Sequence, residues 1–424
     1  MKHAISRYGA RVVPNTVELI DEMEKKGTFI EGPHVAAFEA AFAARLGEGV
    51  HATATSYGRM AFYYLLQAYQ FPPGSEVVFP ALTFWVMPEM ARVSGLTPVF
   101  ADVDPVSFNM TADSLKRVIT PKTVAVVPTH LWGLPCDMRE IVAVARDHRL
   151  RVIEDCAHAL GARYRGRPVG TLGDAAIFSF QMIKPLNAYG GGMAVTHNPT
   201  VAARVAELAA AEPLPDREHV KQRLWHGRVQ RIATRPAIFT WTMFPLIYAL
   251  TRLHLSLDMY FWEKIRALDP MPADYRLRIS NVQAAIALEG LQYLDEWTAR
   301  TQRNAERMTA LLRDVPGLQV PTSPSDRTHA YYQYCAYVPE REAVVEACLK
   351  RAVDIETLHV DVCAEIELFG KPRLPAPGAR QTTQTIQIPI YESLTDEPLQ
   401  RVATVVRESV LGLGRQTPAA VHQS

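Results

Sequence analysis

The chain has 424 residues, of which 48% are hydrophobic and 21% charged, and a formal net charge of +1. That length allows two or three domains, and a near-neutral charge balance gives no support to nucleic-acid binding as the main activity. The five cysteines (Cys136, Cys156, Cys335, Cys348 and Cys363) are odd in number and form no Cys-x-x-Cys pair. They speak against a disulfide framework or structural zinc site and fit a reducing cytosol. The N-terminal stretch has no apolar signal core, and no window holds the ~18 uninterrupted apolar residues of a membrane span. A cytoplasmic protein is expected.

In chain order, Gly27–Pro33 reads as a glycine-bounded loop and Val35–Leu46 as an amphipathic helix. From Ala52, a small-residue strand reaches a turn at Ser56-Tyr57-Gly58, and a strongly apolar helix follows. A glycine turn that opens a helix leaves free N–H groups pointing outward, a natural phosphate seat. Arg59 can add a bidentate charge contact there; the alternative is a plain turn with a surface arginine. Short apolar runs follow at Glu76–Pro80, Ala81–Trp85, Thr97–Asp104, Thr123–Pro128 and Arg151–Asp155, with a helix at Met138–His148. Strands alternating with helices imply βαβ units and a largely parallel sheet. Gly190-Gly191-Gly192 leads into another strand at Met193–Thr196. The glycines match no dinucleotide fingerprint.

Val201–Ala211 is helical in pattern, and then the character changes. Lys221–Arg252 carries Lys221, Arg223, Arg228, Arg231, Arg235 and Arg252 and no acidic residue. Inside it, Pro236–Thr251 is uncharged and rich in large apolar side chains, but short and interrupted by Pro245. Arginines ahead of an apolar, Trp-bearing segment suggest peripheral contact with a membrane through 221–252; the other reading is a buried helix or an oligomer contact. Ser280 or Asn281 caps a helix expected to run through Trp297 to about Leu312. Asp326–Val338 and Ala343–Arg351 read as a strand and a helix, Thr385–Pro389 as a strand, and Pro398–Leu411 as a last helix. The tail from Arg415 is expected to fray. The organisation expected is a large domain over residues 1–270, with an insertion at about 215–265, and a linking helix with a small α+β domain over 271–424.

The stretch from Val152 to Gly192 holds the chemistry. Val152-Ile153 runs into Glu154-Asp155, and Ala175–Phe180 runs through Ser179 towards Lys184. Open α/β sheets build their sites at the carboxyl ends of such strands. A lysine near a buried strand end is costly unless used. Desolvation lowers its pKa and frees the neutral amine for Schiff-base formation. Pyridoxal 5'-phosphate (PLP) also needs a carboxylate for its ring nitrogen, an anion seat and an apolar or aromatic face. Asp155 can supply the first, the Gly58-Arg59 helix start with Ser179 the second, and Phe84 the third. His158 can hydrogen-bond the ring hydroxyl oxygen. Each alone is more commonly a cap, turn or snorkelling residue; together, in this order, they specify a cofactor site.

With these residues in place, the chain resembles the PLP-dependent sugar aminotransferases of the DegT/DnrJ/StrS type. The resemblance rests on Gly32-Pro33, Phe38-Glu39, Gly58 with Ala61, Pro80 with Thr83-Phe84, and Pro98–Asp104. Its central block runs through Glu154-Asp155, Ala157-His158-Ala159, Gly173-Asp174 and Phe178-Ser179-Phe180 to Lys184 and Gly191-Gly192. Tyr275-Arg276, Gln283-Ala284-Ala285 and Ile388–Tyr391 with Leu394-Thr395 extend it. It implies PLP-dependent transferase fold type I: α/β, with a mostly parallel seven-stranded sheet plus a smaller α+β C-terminal domain. It also implies a homodimer with sites at the subunit interface. Lys184 would carry the cofactor, Asp155 would pair with the ring nitrogen, Phe84 would stack on the ring, and Ser179 would bind the phosphate. Three positions depart from the family pattern. Tyr57-Gly58-Arg59 stands for Ser-Gly-Thr, Asp274 for an asparagine that reaches the neighbouring subunit's phosphate, and Gly190 for a glutamate. The interval from Gly192 to Asp274 is longer than the family's by roughly 35–40 residues.

The expected activity is transfer of an amino group from an amino acid, glutamate first among them, to a keto-sugar carried on a nucleotide. The alternatives are the same chemistry on a lipid or lipid-linked acceptor at a membrane surface, PLP-dependent dehydration, or a non-catalytic regulatory protein on this fold.

Overall fold

A computed structural model describes residues 3–9, 11–253, 263–357 and 360–414; the tail expected to fray from Arg415 lies outside them. Ten strands come from the first half of the chain: β1 (His51–Thr55), β2 (Glu76–Pro80), β3 (Leu82–Thr83), β4 (Thr97–Ala101), β5 (Thr123–Val126), β6 (Arg151–Asp155), β7 (Arg163–Tyr164), β8 (Arg167–Pro168), β9 (Ala175–Ser179) and β10 (Gly192–Thr196). Seven of them form one sheet in the order β1-β10-β9-β6-β5-β2-β4. β10 is antiparallel to both neighbours, and the other contacts are parallel. The mostly parallel α/β sheet is therefore as expected.

Both faces of the sheet are covered, so its strands read as continuous apolar runs rather than as alternations. Every residue of β2 and β10 is buried. The period of two still decides which face each side chain joins. Val77, Phe79, Ile153 and Ile177 pack with the helix Gly58–Tyr69. Val78, Val126 and Val152 pack instead with the helix Met138–Asp147. Phe178, Met193 and Val195 meet Phe38 and Phe42 of the helix His34–Leu46. Phe42 makes edge contacts with both Phe178 and Phe180, at ring separations of 5.0 and 5.7 Å.

A second core lies in the C-terminal part. β12 (Tyr334–Tyr337), β15 (Thr385–Ile388) and β13 (Glu356–Thr357) form an antiparallel sheet. It shares apolar contacts with the helices Arg341–Lys350 and Asp396–Gly414 and with Ile5 from the chain start. Two short strands tie this part back. β11 (Arg327–Thr328) pairs with β7, and β14 (Asp361–Val362) pairs with β3. The second pairing, with the Trp85 N–H donating to Asp361 at 3.3 Å, fixes the turn that carries Phe84.

Two expectations change. The helix from Ser280 to Leu312 is two helices, Asn281–Leu291 and Leu294–Leu312. Gly290 explains the break: glycine weakens a helix interior, and a Cβ there would lie 2.6 Å from Leu186. Asp326–Val338 is not one strand either. After β11, which pairs with β7, the chain turns with Tyr331 at φ 49° and enters a different sheet as β12. The connection carries Tyr332 into the site described below.

Glu154 and Asp155 are adjacent acids on β6 with different tasks. Glu154 is fully buried and accepts from Gly170 N–H at 2.9 Å, Leu172 N–H at 2.7 Å, Gly173 N–H at 2.8 Å and His130 Nε2 at 2.9 Å. His130 Nδ1 accepts the Cys136 N–H at 3.0 Å, which holds the ring as the neutral Nε2–H tautomer. Glu154 thus ties β6 to the connection that delivers β9. Replacing Glu154 with Ala should cost about 3–5 kcal/mol, because several buried donors lose their acceptor together. Glu154→Gln, which keeps one acceptor, should cost less. Urea denaturation measures both, and an unchanged midpoint in Glu154→Ala would remove Glu154 from this role.

Candidate active site

β6 and β9 are parallel neighbours, with Asp155 paired in register with Ile177, so both strands end at the same edge of the sheet. Asp155 leaves β6 buried, its Oδ1 accepting the Ala157 N–H at 3.0 Å. Burial pushes its carboxyl above the ordinary carboxylate range, against the pull of that N–H and of the Lys184 charge. Lys184 follows β9 in a turn closed by its own N–H to the Gln181 carbonyl, 2.9 Å away. Its side chain is half-buried, and desolvation brings the amine down to about 8, with Asp155 raising it and Arg59 lowering it further. The two poles expected from the sequence thus act on one another electrostatically.

The glycine turn lies at the same edge. Gly58 opens the helix Gly58–Tyr69, and a Cβ on it would stand 2.9 Å from the Phe178 carbonyl and 3.1 Å from the Ser179 Cβ. Only a bare backbone fits there, which brings the Gly58 N-terminal turn and Ser179 together as a cradle. Gly191 secures it from below by donating to the Ser56 carbonyl at 2.9 Å.

Arg59 reaches further out than a simple phosphate ligand would. Its Nη1 donates to Glu263 at 2.5 Å and to the Tyr275 hydroxyl. Its guanidinium lies 4.5 Å from the Tyr275 ring centre, 5.1 Å from that of Tyr57 and 5.7 Å from that of Phe84. Phe84 therefore sits beside Arg59, where β3 and β14 hold it.

His158 stands between two aromatic rings, 5.6 Å from Trp132 and 4.1 Å from Tyr332, with interplanar angles of 13° and 18°. The Lys184 amine lies 4.8 Å from the centre of the same Tyr332 ring. All seven residues picked out from the sequence (Gly58, Arg59, Phe84, Asp155, His158, Ser179 and Lys184) thus gather around one edge of the sheet. Beside Lys184 a cavity opens, lined among others by Arg11, Met182, Tyr332, Gln333 and Tyr391.

The sequence reading missed Trp132, Tyr332, Glu263 and Arg223. The paired tyrosines Tyr331-Tyr332, inside an otherwise strand-like run, were the available signal for Tyr332. Arg223 comes from the helix Arg217–Ala233 and lies over the Tyr57 ring at 4.6 Å. Burial draws its guanidinium below the ordinary value, and Asp274 counters that pull. Asp274 also accepts from the Tyr57 hydroxyl at 3.3 Å. A Cβ on Gly190 would approach Gln283 Nε2 to 2.7 Å and Arg223 to 3.1 Å. The departures at 57–59, 190 and 274 are therefore neighbours, and Arg223 sits among them.

A buried carboxylate, a depressed lysine amine and a bare-backbone turn thus meet at adjoining strand ends of a mostly parallel α/β sheet. The chain belongs to the DegT/DnrJ/EryC1/StrS aminotransferase family, whose model matches residues 12–235 and 247–407. It is 30% identical to the spore coat polysaccharide biosynthesis protein SpsC of Bacillus subtilis over 93% of this chain and 94% of that one. It is 29% identical to the UDP-N-acetyl-3-dehydro-alpha-D-glucosamine 3-aminotransferase of Acidithiobacillus ferrooxidans, over 91% of each chain. Among solved structures, the aminotransferase TlmJ of Streptoalloteichus hindustanus superposes with a TM-score of 0.78 at 25% identity, over 97% of this chain and all of that one. The protein is an aminotransferase of this family, whose members depend on PLP, and its fold is that of their type I architecture.

The Lys184 amine at about 8 sets a pH dependence. A depressed pKa means that the neutral, reactive amine predominates above that pH and is lost as pH falls through it. Borohydride trapping of PLP on the apoprotein should rise through about pH 8 and vanish at this position in Lys184→Ala. Asp155→Asn removes a charge that raises the amine's pKa, so the midpoint should move lower. A midpoint that stays put would uncouple the two residues.

Proposed function

We propose that this aminotransferase uses PLP held at Lys184 to move the amino group of glutamate to a keto-sugar carried on a nucleotide. The observation that carries the reading is the Asp155–Lys184 pair at the ends of β6 and β9, beside the Gly58–Ser179 cradle. The cofactor supplies an aldehyde that accepts the donor's amino group and a ring that withdraws electrons from the reacting carbon.

This chain's own residues do the rest. The Gly58 helix start, through its backbone N–H groups, and the Ser179 hydroxyl would hold the phosphate; a Cβ at 58 would meet the Phe178 carbonyl and the Ser179 side chain. Asp155, kept from water, would hold a proton on the ring nitrogen; its raised pKa in the bare protein is the cost of a buried carboxylate without its cation. His158, stacked with Trp132 and Tyr332, would hydrogen-bond the ring hydroxyl oxygen, and Phe84 would cover the ring face. The Lys184 amine, neutral at slightly alkaline pH, would hold the cofactor through its aldehyde carbon, with water as the leaving group. Freed by the donor's amino group, the same amine would be placed to move a proton between the reacting carbons. Arg59 lends positive charge to the phosphate turn at second hand, since Glu263 shares its guanidinium. A homodimer is part of the reading, as the family resemblance implies.

The acceptor class is supported by the relative named for a UDP-linked dehydro-sugar and by a second, the GDP-perosamine synthase of Caulobacter vibrioides, 35% identical over 64% of this chain. Glutamate is the amino donor this reading takes. Adding glutamate to the PLP-loaded enzyme should replace the absorbance of the lysine-linked cofactor with that of its amine form and release 2-oxoglutarate. The amine form should then be discharged by a nucleotide-linked keto-sugar and not by the free sugar. Failure with every common amino donor would sink the transaminase reading; discharge by the free sugar alone would sink the nucleotide.

A further inference from the structure

The family match passes over residues 236–246, and those residues form the start of a helical hairpin on the outside of the molecule. Pro236–Trp241 and Met243–Arg252 are helices that pack on each other and meet at Thr242. Phe239 is buried and Thr240 Oγ1 accepts the Ala4 N–H at 2.8 Å, so the hairpin is moored to the body. Yet Met243–Arg252, apolar along most of its length, has no buried residue. Pro245, Leu246, Ala249 and Leu253 form one exposed stripe at helical spacing.

The preceding helix, Arg217–Ala233, is apolar on two opposite sides. Val220, Leu224 and Gly227 face the body. Trp225, Val229 and Ile232, spaced four and three apart, face outward, with Trp225 62% exposed. Trp241 is 67% exposed. Among the described residues, six of the eleven exposed large hydrophobic side chains lie between positions 225 and 253. That concentration is far from the scatter of single apolar residues on an ordinary surface.

Charge decides what can cover it. Lys221 is paired with Glu24 at 3.4 Å, and Arg223 is turned to the phosphate turn. Arg228, Arg235 and Arg252 are exposed and form no ion pair among the described residues, and no acidic residue occurs from 221 to 252. A second copy set symmetrically on this face would meet the same surface, which from 221 to 252 offers no carboxylate to pair with these arginines. An anionic bilayer surface neutralises the arginines and accepts the apolar stripes and tryptophans at headgroup depth. No helix among the described residues is long and apolar enough to cross a membrane, so the contact is with one face.

We propose that the helix Arg217–Ala233 and the hairpin Pro236–Arg252 dock the enzyme on the surface of an anionic lipid bilayer. The test uses the full chain loaded with PLP and vesicles of phosphatidylglycerol mixed with phosphatidylcholine, against pure phosphatidylcholine. The enzyme should float with the anionic vesicles, with a blue-shifted tryptophan emission, and not with the neutral ones. Trp241→Ser with Leu246→Ser should abolish flotation. Arg228→Gln with Arg235→Gln should weaken it by about thirtyfold, the effect of two surface charges at ~1 kcal/mol each. Cofactor absorbance and sedimentation velocity report that each variant is folded. Equal flotation with neutral vesicles, flotation that neither variant disturbs, or none at all would overturn the proposal. So would a smaller oligomer in the Trp241/Leu246 variant without vesicles, which would assign the face to a second copy.

Discussion

The site depends on a carboxylate kept where a carboxylate is unfavourable. Asp155 ends a strand flanked on both sides by other strands, so water cannot reach it and its charge must be met by the protein or by what the protein binds. The protein meets it only in part, with one N–H at 3.0 Å and the field of the Lys184 amine. On the proposed reading, that shortfall is what a protonated ring nitrogen would repair. The same field runs the other way: burial lowers the lysine's pKa, and Asp155 limits how far it falls. The strand adjacency that puts these two ends side by side is therefore a condition of the chemistry as well as of the fold.

The neighbouring acid shows how one residue of register separates structure from function. Glu154 projects to the opposite side of β6, where three N–H groups and His130 satisfy it fully. It has nothing to offer a ligand. A buried carboxylate with a complete set of donors stabilises a connection; one with an incomplete set waits for a cation. The cluster of His130, Glu154 and Cys156 has ligand types that a metal accepts, but the hydrogen bonds already use the two stronger ligands. Burial also pushes the Cys156 thiol up to about 12, so it is not a thiolate at ordinary pH.

Much of this was legible in the sequence because it is local. Strand ends, the glycine turn and the spacing from Asp155 to Lys184 lie within short stretches of chain, where apolar runs and turn residues fix the geometry. Tyr332, Trp132 and Glu263 were not legible. Tyr332 and Glu263 reach the site from segments far along the chain; Trp132 lies in the turn soon after β5, but its contact with the His158 ring is a tertiary one that no local pattern encodes. Tyr332 enters from the connection between β11 and β12, which belong to two different sheets. The helix break at Gln292-Tyr293 was missed for a related reason: the constraint on Gly290 comes from Leu186, over a hundred positions earlier.

The basic and apolar stretch shows both limits together. Its composition was plain in the sequence, but composition cannot say which way a helix turns its faces. A one-sided helix with Val220, Leu224 and Gly227 inward would be an ordinary surface element. The addition of Trp225, Val229 and Ile232 on the far side, continued by a hairpin that buries almost nothing, removes that explanation. The same helix turns Arg223 inward, over Tyr57 and beside Asp274 and Gly190, the positions where this chain departs from its family's phosphate site. One helix thus presents an arginine to the active-site turn from one side and tryptophan to the outside from the other. An event at its outer face is separated from the cofactor cradle by a single helix diameter, about 10 Å. The family match runs through this helix and passes over only 236–246 of the hairpin, so the outward apolar stripe continues from a shared element into one that the match leaves out.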